Sequence, residues 1–387
     1  MIASIRCRHF TDPVIVFCLA VLCAVGAARL NAESRIRYEV VFPDLPGYLT
    51  LKCDFHMHTV FSDGQVWPTI RVEEAWRDGL DVIAITDHNE YRPYQDDLTP
   101  KAGRSYELAR PAAEGLGLLL IRGCEITRDE PPGHLNALFL QDIAAVRRDD
   151  SRAAVKSAAE QGAFIFWNHP AWKQPEGQAV WYDLQEEFLR NGWLKGVEIV
   201  NGNDYDPVVH GWAVNKSLTI MGDSDIHAVI DWEYERSRGR LRPMTLVFAT
   251  AKTEIAVKEA LLARRTVVFS CGRLYGDASL LRPLVQQSIE LLTPVVVLHG
   301  GSQAIVQLRN RSAAPLRIEF TQAVAGITTP RKLDLDPQAI TAFDLGLLAD
   351  TKAGVRMLAL ACQVTNALTA PNQPLTIDLQ LQVRVEP

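Results

Sequence analysis

The sequence predicts an α/β domain with a largely parallel sheet, followed by a smaller all-β domain of the immunoglobulin-like sandwich type. Three observations predict it. Between about residues 50 and 270, short apolar runs alternate with segments long enough for a helix, the pattern of consecutive βα units. Five of those runs stop at a histidine or a carboxylate: Leu51 to His58, Val82 to His88, Leu118 to Glu125, Ala163 to His169 and Thr219 to His227. In β/α folds the carboxyl edge of the strands is where sites are built. After about residue 275 the pattern changes to alternation of period two, the signature of half-buried antiparallel strands.

The elements follow in order. Residues 33–50 form a lead-in marked by Pro43, Pro46 and Gly47. The run ending at His56 and His58 is the first strand. Pro68 opens a helix that Gly79 closes, since proline suits the first turn and glycine the position after the last. Strand 82–86 precedes a helix near 101–115, and strand 118–122 leads to Glu125. Gly133 to Leu140 is a further strand with His134 at its start. A helix near 150–161, strand 163–167, a helix near 183–191 and strand Gly196 to Val200 come next. Residues 207–216 are helical before 219–221. Met244 to Ala249 is a strand and Thr253 to Arg264 a helix.

The carboxy-terminal part opens with a helix from Asp277 to Glu290. Apolar alternation then recurs at Pro294, Gln303, Leu316, Thr341, Val355 and Leu375. Short strands at this spacing suggest a sandwich, here without a Cys…Trp…Cys signature. The divisions are 1–32, 33–275, a linker helix 276–292, and a β-sandwich 293–387. The last of these offers no clustered ligands, and His299 reads as an ordinary loop histidine.

The chain has 387 residues and a net charge of −6, enough length for two domains. Residues 1–32 read as a secretory signal: Arg6 and Arg8 form a basic start, Val14 to Ala28 is apolar but short for a membrane span, and Gly26, Ala27, Ala28 and Ala32 offer cleavage sites. The expectation is export to a periplasmic or extracellular space with no membrane span after cleavage; an uncleaved anchor is the alternative. The segment is basic, with three arginines against one aspartate, so the remainder is more acidic still. That argues against nucleic acid as the main partner and leaves a small phosphate open, because bound metals reverse the local field. Oligomeric state is not legible. Cys53, Cys124, Cys271 and Cys362 follow the signal with no C-x-x-C pair, which rules out a zinc knuckle or dithiol motif. Cys53 and Cys124 read as buried small residues, with a thiol-ligand role or a disulfide between them as lesser alternatives.

Six of nine histidines sit at strand ends or just past them. His56 and His58 are two apart, so they share one face of a strand; Asp225 and His227 repeat the spacing. Imidazole with carboxylate suits zinc, manganese or iron better than magnesium or calcium.

The ordered set H-x-H-T-x3-S-D-G, T-D-H, C-E, N-H-P and D-x-H, over roughly residues 50–270, resembles the PHP (polymerase and histidinol phosphatase) family. The resemblance implies a distorted (β/α)7 barrel and a phosphoesterase site of two or three divalent transition-metal ions (Mn, Zn or Fe). It places His56, His58, Glu125 and Asp225 on the first ion and Asp63, His88 and His227 on the second. Glu125 would bridge to a third, held with His134 and His169. Many members with three ions carry histidine where Asp63 stands; aspartate there resembles the short S-D-G branch, some of whose members hold two. The implied chemistry is hydrolysis of a small phosphate ester by a hydroxide bridging the metals.

Asp87 reads as orienting a ligand. Arg242 is the first choice for a phosphate counter-charge, ahead of Arg122, Arg128 and Lys173. Glu198 is either a base or a structural hydrogen bonder. Trp167, Trp172, Trp181, Trp193 and Trp212 form a wall, a platform or core. Two other functions fit the ligands: amidohydrolase-like cleavage of a C–N or C–O bond, and non-catalytic metal binding. Amidohydrolases commonly add a bridging lysine from a later strand, and none of the five runs ends in one.

Overall fold

The computed structural model describes residues 36–98, 101–235, 239–299, 301–322, 324–348 and 352–386. Residues 1–32, whose sequence reads as a signal, lie outside them. Residues Glu39–Pro387 form one compact unit.

The first domain is a distorted β/α barrel. Strand β1 (Leu49–Asp54) pairs in parallel with β2 (Val82–Ile85), Cys53 standing opposite Val82, and β2 pairs in parallel with β3 (Leu119–Ile126). The next contacts reverse. β4 (Leu135–Leu138) runs antiparallel to β3 and to β5 (Phe164–Trp167). Parallel pairing resumes from β5 to β6 (Leu194–Asn201), which continues into a short β7 (Asp204–Tyr205) and also pairs with β8 (Thr219–Asp223). On the other side, β1 is antiparallel to β9 (Met244–Ala249), and β9 to β10 (Thr266–Ser270). The sheet is therefore mixed, where a largely parallel one was expected. The connection from β3 to β4 holds no helix, and without a crossover the chain can only turn back.

Threonine hydroxyls close the ring. The Gly222 amide donates to Thr245 Oγ1 at 2.9 Å, and Thr266 Oγ1 donates to the Ile220 carbonyl at 2.9 Å. The close approach there requires glycine, since a Cβ at Gly222 would lie 2.2 Å from Val268 Cγ1.

Helices occupy the predicted places. α1 (Pro68–Arg77) starts on its proline and is followed by Gly79 at φ 83°. After α2 (Arg104–Leu116), α3 (Ser151–Glu160) is capped by Asp150, which accepts from the Ala153 amide. α4 (Asp183–Arg190) and α5 (Pro207–Asn215) follow, the latter capped by Asp206, then a single turn α6 (Ile230–Glu233) and α7 (Glu254–Leu262), capped by Thr253. Such caps satisfy amides that the helix leaves open.

The second domain is all β. One sheet orders β13 (Val295–His299), β20 (Gln373–Glu386), β19 (Gly354–Ala370), β15 (Leu316–Phe320) and β17 (Lys332–Leu335). The other orders β12 (Ile289–Leu291), β14 (Gln303–Asn310), β18 (Ile340–Leu347) and β16 (Ile327–Thr328). Alternate residues Ile377, Leu379 and Leu381 of β20 face a core shared with Val306, Leu308 and Leu345.

A hairpin splices the two domains. β11 (Arg273–Gly276) pairs antiparallel with β10 and parallel with β19, Leu274 opposite Ala367. The following helix α8 (Ala278–Ser288) buries Leu281, Leu284 and Val285, so it is part of the packed interior.

Candidate metal centre

The barrel brings all nine sequence-predicted ligands to one edge. His56 and His58 follow β1, His88 follows β2, and Glu125 lies in β3. His134 precedes β4, which runs the other way and so begins at this edge. His169 follows β5, and Asp225 and His227 follow β8. Isolated bridges between Met57 and Ile226 and between His88 and Glu125 lock these strand ends together.

Glu125 is at the centre. Its Oε1 lies 3.4 Å from His56 Nε2, 3.0 Å from His134 Nδ1 and 3.5 Å from His169 Nε2. Its Oε2 lies 3.5 Å from His58 Nε2 and 2.7 Å from His88 Nδ1. Asp225 Oδ1 lies 3.1 Å from His56 Nε2 and 3.0 Å from His58 Nε2. Asp63 Oδ1 lies 3.2 Å from His227 Nε2 and 3.4 Å from His88 Nε2.

Donors bound to one ion at about 2.0–2.2 Å stand roughly 3.0–3.5 Å apart, which is the spacing seen. Among the described residues, four groups have one donor atom from each member within 4.8 Å of the others: His58, Asp63, His88 and His227; His56, His58 and Glu125; His56, His169 and Asp225; and His88, Glu125 and His134. The trio the resemblance implied, Glu125, His134 and His169, meets at Glu125 Oε1, and mutual closeness adds further partners. His134 joins His88, and His169 joins His56 and Asp225.

The decisive detail is what these atoms lack. His56 Nε2, His58 Nε2, Asp63 Oδ1, Glu125 Oε2 and Asp225 Oδ1 are buried, and among the described residues none makes a hydrogen bond of sound geometry, only the ion-pair approaches given above. A buried polar atom left unpaired costs about 1–3 kcal/mol, and five such atoms converge here. Transition-metal ions fit this donor set.

Other side chains hold the ligands in place. Glu198 Oε1 takes His56 Nδ1 at 2.7 Å, and its Oε2 accepts from the His169 amide at 2.9 Å and from Asn201 Nδ2 at 3.0 Å. Asn168 Nδ2 donates to Glu125 Oε1 at 2.7 Å. Asp87 accepts from the Thr59 amide at 2.7 Å and from Ser62 Oγ at 2.9 Å, and Ser62 Oγ lies 3.3 Å from His58 Nδ1. Asp87 thus shapes the His58–Asp63 turn from behind. Arg71 was not foreseen. Its Nε donates to the His58 carbonyl at 3.0 Å and its Nη2 to the His227 carbonyl at 2.9 Å, with Glu74 paired to Nη1 at 2.6 Å. A charge in a helical stretch reads as solvated surface, so the sequence carried no signal for it. For Glu198 the signal was a carboxylate inside an apolar strand.

Electrostatics bind the cluster into one system. Burial alone would raise the carboxyls of Glu125, Asp225 and Asp63, but surrounding imidazoles outweigh it and hold all three below their usual range. Burial opposes the charged imidazoles too. At His88 the carboxylates of Glu125 and Asp63 win and lift it to about 10. His56, His169 and His227 are raised likewise by their acidic neighbours. His58 goes the other way, down to about 3, under burial and repulsion from His227 and His88. Without metal, protons do the work of cations here.

Arg242 is not where a phosphate would need it. It is fully buried, with Nε donating to Asp78 Oδ2 at 2.9 Å and Nη1 to Asp54 Oδ2 at 3.0 Å. Its charge neutralises two core carboxylates beneath the site, and no fork is left for substrate. Cys53 and Cys124 are free, buried thiols outside the cluster, both pushed up by burial. Trp167 stacks on Trp212 at 5.8 Å with Trp181 edge-on, and Trp193 packs on Phe188. Trp172 alone of that set stands at the site, against His134 and His169.

A profile of the PHP domain matches residues 54–183, and one described as an Ig-like domain matches residues 292–380. The chain is similar to a two-domain protein of Bacteroides vulgatus containing a predicted PHP-like metal-dependent phosphoesterase, known from its crystal structure. Identity is 39%, with 89% of this chain and 99% of that one covered, at a TM-score of 0.83. It is 28% identical to an uncharacterized protein of Methanocaldococcus jannaschii, over 43% of this chain and 92% of that one. A Bifidobacterium adolescentis structure, a putative metal-dependent phosphoesterase, is 18% identical over 45% of this chain and 87% of that one, at a TM-score of 0.36. The fold and the cluster define a metal-dependent hydrolase of the β/α-barrel type. The chain belongs to the PHP family, in its two-domain form with an Ig-like carboxy-terminal domain.

Two predictions follow from this geometry. Arg242→Ala strands Asp54 and Asp78 in the core and should cost about 3–5 kcal/mol, read by denaturant unfolding. Arg242→Lys should recover only part, because it loses the fork. The second concerns pH. Imidazoles raised on folding stabilise fully below their unfolded value near 6.5, and that stability is lost as pH climbs through the folded value, about 10 for His88. The depressed carboxyls stabilise above about 4 and fail as pH drops. His58 subtracts stability below 6.5. Metal-stripped protein should therefore melt at progressively lower temperature from pH 6.5 to 10, while protein loaded with Mn2+ should show a flatter profile. A melting temperature of the stripped protein that rises over this range would count against it.

Proposed function

We propose that this protein hydrolyses a small phosphate ester with two or three divalent transition-metal ions held by His56, His58, Asp63, His88, Glu125, His134, His169, Asp225 and His227. The observation that carries the reading is the set of buried donor atoms without hydrogen-bond partners, all facing one another beside an open cleft of about 660 Å³. When bound, the ions supply Lewis acidity toward phosphoryl oxygens and acidify water toward neutral pH. The chain's residues do the rest. Glu125 belongs to two of the four groups and contacts members of the other two, so it would tie the ions together. Glu198 fixes the His56 ring through Nδ1 and leaves Nε2 facing the centre, and Thr127 Oγ1 does similar work at His88 Nδ1, 2.7 Å away. Asp63, His88, His134, His169, Asp225 and His227 line the cleft as well, so a substrate meets the site from that side. No serine or cysteine nucleophile is invoked.

Glu125→Gln should leave less than half the wild-type metal by elemental analysis and lower kcat/KM at least about 100-fold, which matches the loss of roughly 3 kcal/mol of metal assistance. Full metal content with unchanged rate would refute the bridging role. Metal-replete protein should turn over phosphate esters in a panel that also holds amides and lactones. Turnover of an amide or lactone alone would replace this reading with the amidohydrolase-like one.

We also read residues 1–32 as an export signal, on their basic start, short apolar run and small residues. No helix among the described residues is long and apolar enough to cross a membrane. Protein from the native host should begin between Ala28 and Glu33. An intact Met1 in a soluble cytoplasmic pool would overturn the reading, and an intact terminus in the membrane fraction would favour the anchor.

A further inference from the structure

The cleft beside the metal centre has an organic side as well as an ionic one. Trp172 and Tyr91 line it, and both are about half exposed, at 45% and 52%. Trp172 sets its ring 4.8 Å from His134 and 5.2 Å from His169; Tyr91 stands edge-on to His88 at 5.9 Å. The other tryptophans of the 167–212 stretch pack into aromatic clusters with their neighbours, so an indole left at the rim of a charged site needs a reason.

Its mount is rigid. The Trp172 amide donates to the His169 carbonyl at 2.8 Å, which fixes the indole to a ligand-bearing turn. Two residues on, buried Gln174 accepts from Tyr182 Oη at 2.6 Å and anchors the other end. Between them, Lys173 has a left-handed backbone, φ 55°, an uncommon state for a residue with a side chain.

Lys173 also lines the cleft, and its Nζ lies 4.0 Å over the Trp172 ring. No carboxylate pairs with it among the described residues. Arg128, the other basic residue of the cleft, pairs with Glu90 at 2.9 Å and donates to the Thr127 and Arg148 carbonyls. Lys173 is therefore an ammonium parked on an aromatic face, a contact weaker than pairing with an anion.

We propose that Trp172 and Lys173 form the substrate-recognition pair, and that the substrate class is a phosphate ester of an alcohol bearing a flat ring. This rests on the phosphoesterase reading above. The ammonium leaves the indole for a phosphoryl oxygen, and the uncovered indole face stacks the ring, with Tyr91 as a second aromatic contact. One event binds both halves of the substrate, because the cation that recognises the anion is the one covering the platform.

The test uses the full-length, Mn2+-loaded protein with benzyl phosphate and ethyl phosphate, whose leaving alcohols are similar in acidity. Wild type should prefer the benzyl ester by about tenfold in kcat/KM, mostly through KM. Trp172→Leu should bring the two within about twofold while keeping its metal. Lys173→Met should weaken both by about tenfold, again through KM, with the benzyl preference retained. Equal use of the two esters by wild type, an unchanged preference in Trp172→Leu, or a Lys173→Met enzyme within twofold of wild type would each overturn the proposal. Calorimetric binding of benzylphosphonate against ethylphosphonate separates the two levels. If no ester is turned over, the phosphoesterase reading fails. Benzylphosphonate binding that is tighter, and dependent on Trp172, still supports the recognition pair; equal binding overturns it.

Discussion

Glu125 is a carboxylate fully removed from water with five imidazoles around it. An isolated charge in that position is prohibitively unfavourable, so it must be compensated by protons on its neighbours or by cations between them. The rest of the site is arranged around this requirement. Asp225 and Asp63 add negative charge on either flank, and the remaining imidazole, His227, stands between those two. Protons suffice to balance the sum, yet they leave five donor atoms without hydrogen-bond geometry. Metal ions would balance the charge and occupy those atoms together.

Such a cluster stays put only if its carriers cannot relax. Here the support is layered. Glu198, Asn168, Thr127 and Ser62 hold rings and carboxylates directly. Arg71 reaches the backbone carbonyls of His58 and His227, tying a ligand at one end of the barrel sequence to one at the other. Below them, Arg242 compensates Asp54 and Asp78, and Asp223 sits beside Asp54 with its carboxyl pushed well up by burial and by that neighbour. Ser224 Oγ donates to Asp54 Oδ2 at 2.6 Å, so the buried charge beneath the site connects to the loop that presents Asp225.

The second domain is joined through the barrel's own sheet. β10 and β11 extend the barrel ladder outward until β11 meets β19, and α8 covers the junction with Leu281, Leu284 and Val285. Separating the domains would expose a strand edge and an apolar helix face together. This continuity makes the sandwich a packed extension of the barrel, although among the described residues it lends no ligand to the candidate metal centre.

The sequence by itself determined the local grammar. Periodicity, caps and turn residues placed the helices and most strands, and spacing at strand ends marked His56, His58, His88, Glu125, His169, Asp225 and His227, with His134 at the start of a run and Asp63 supplied by the family resemblance. These are properties of neighbouring residues, so they can be read along the chain. Tertiary structure decided whatever depends on residues far apart. The β3–β4 reversal and the β10–β11 splice come from which strands meet, and short apolar runs that end in no ligand carry no sign of that. The fate of the two arginines was equally hidden. Arg242 looked like a free fork after a metal motif and is buried against Asp54 and Asp78, residues more than 160 positions away. Arg71 looked like solvent-facing helix and clamps two ligand carbonyls. Trp172 was one of five similar tryptophans until packing left it at the cleft. A charge or ring has a role only through its partners, and partners brought together by folding leave no periodic trace in the chain.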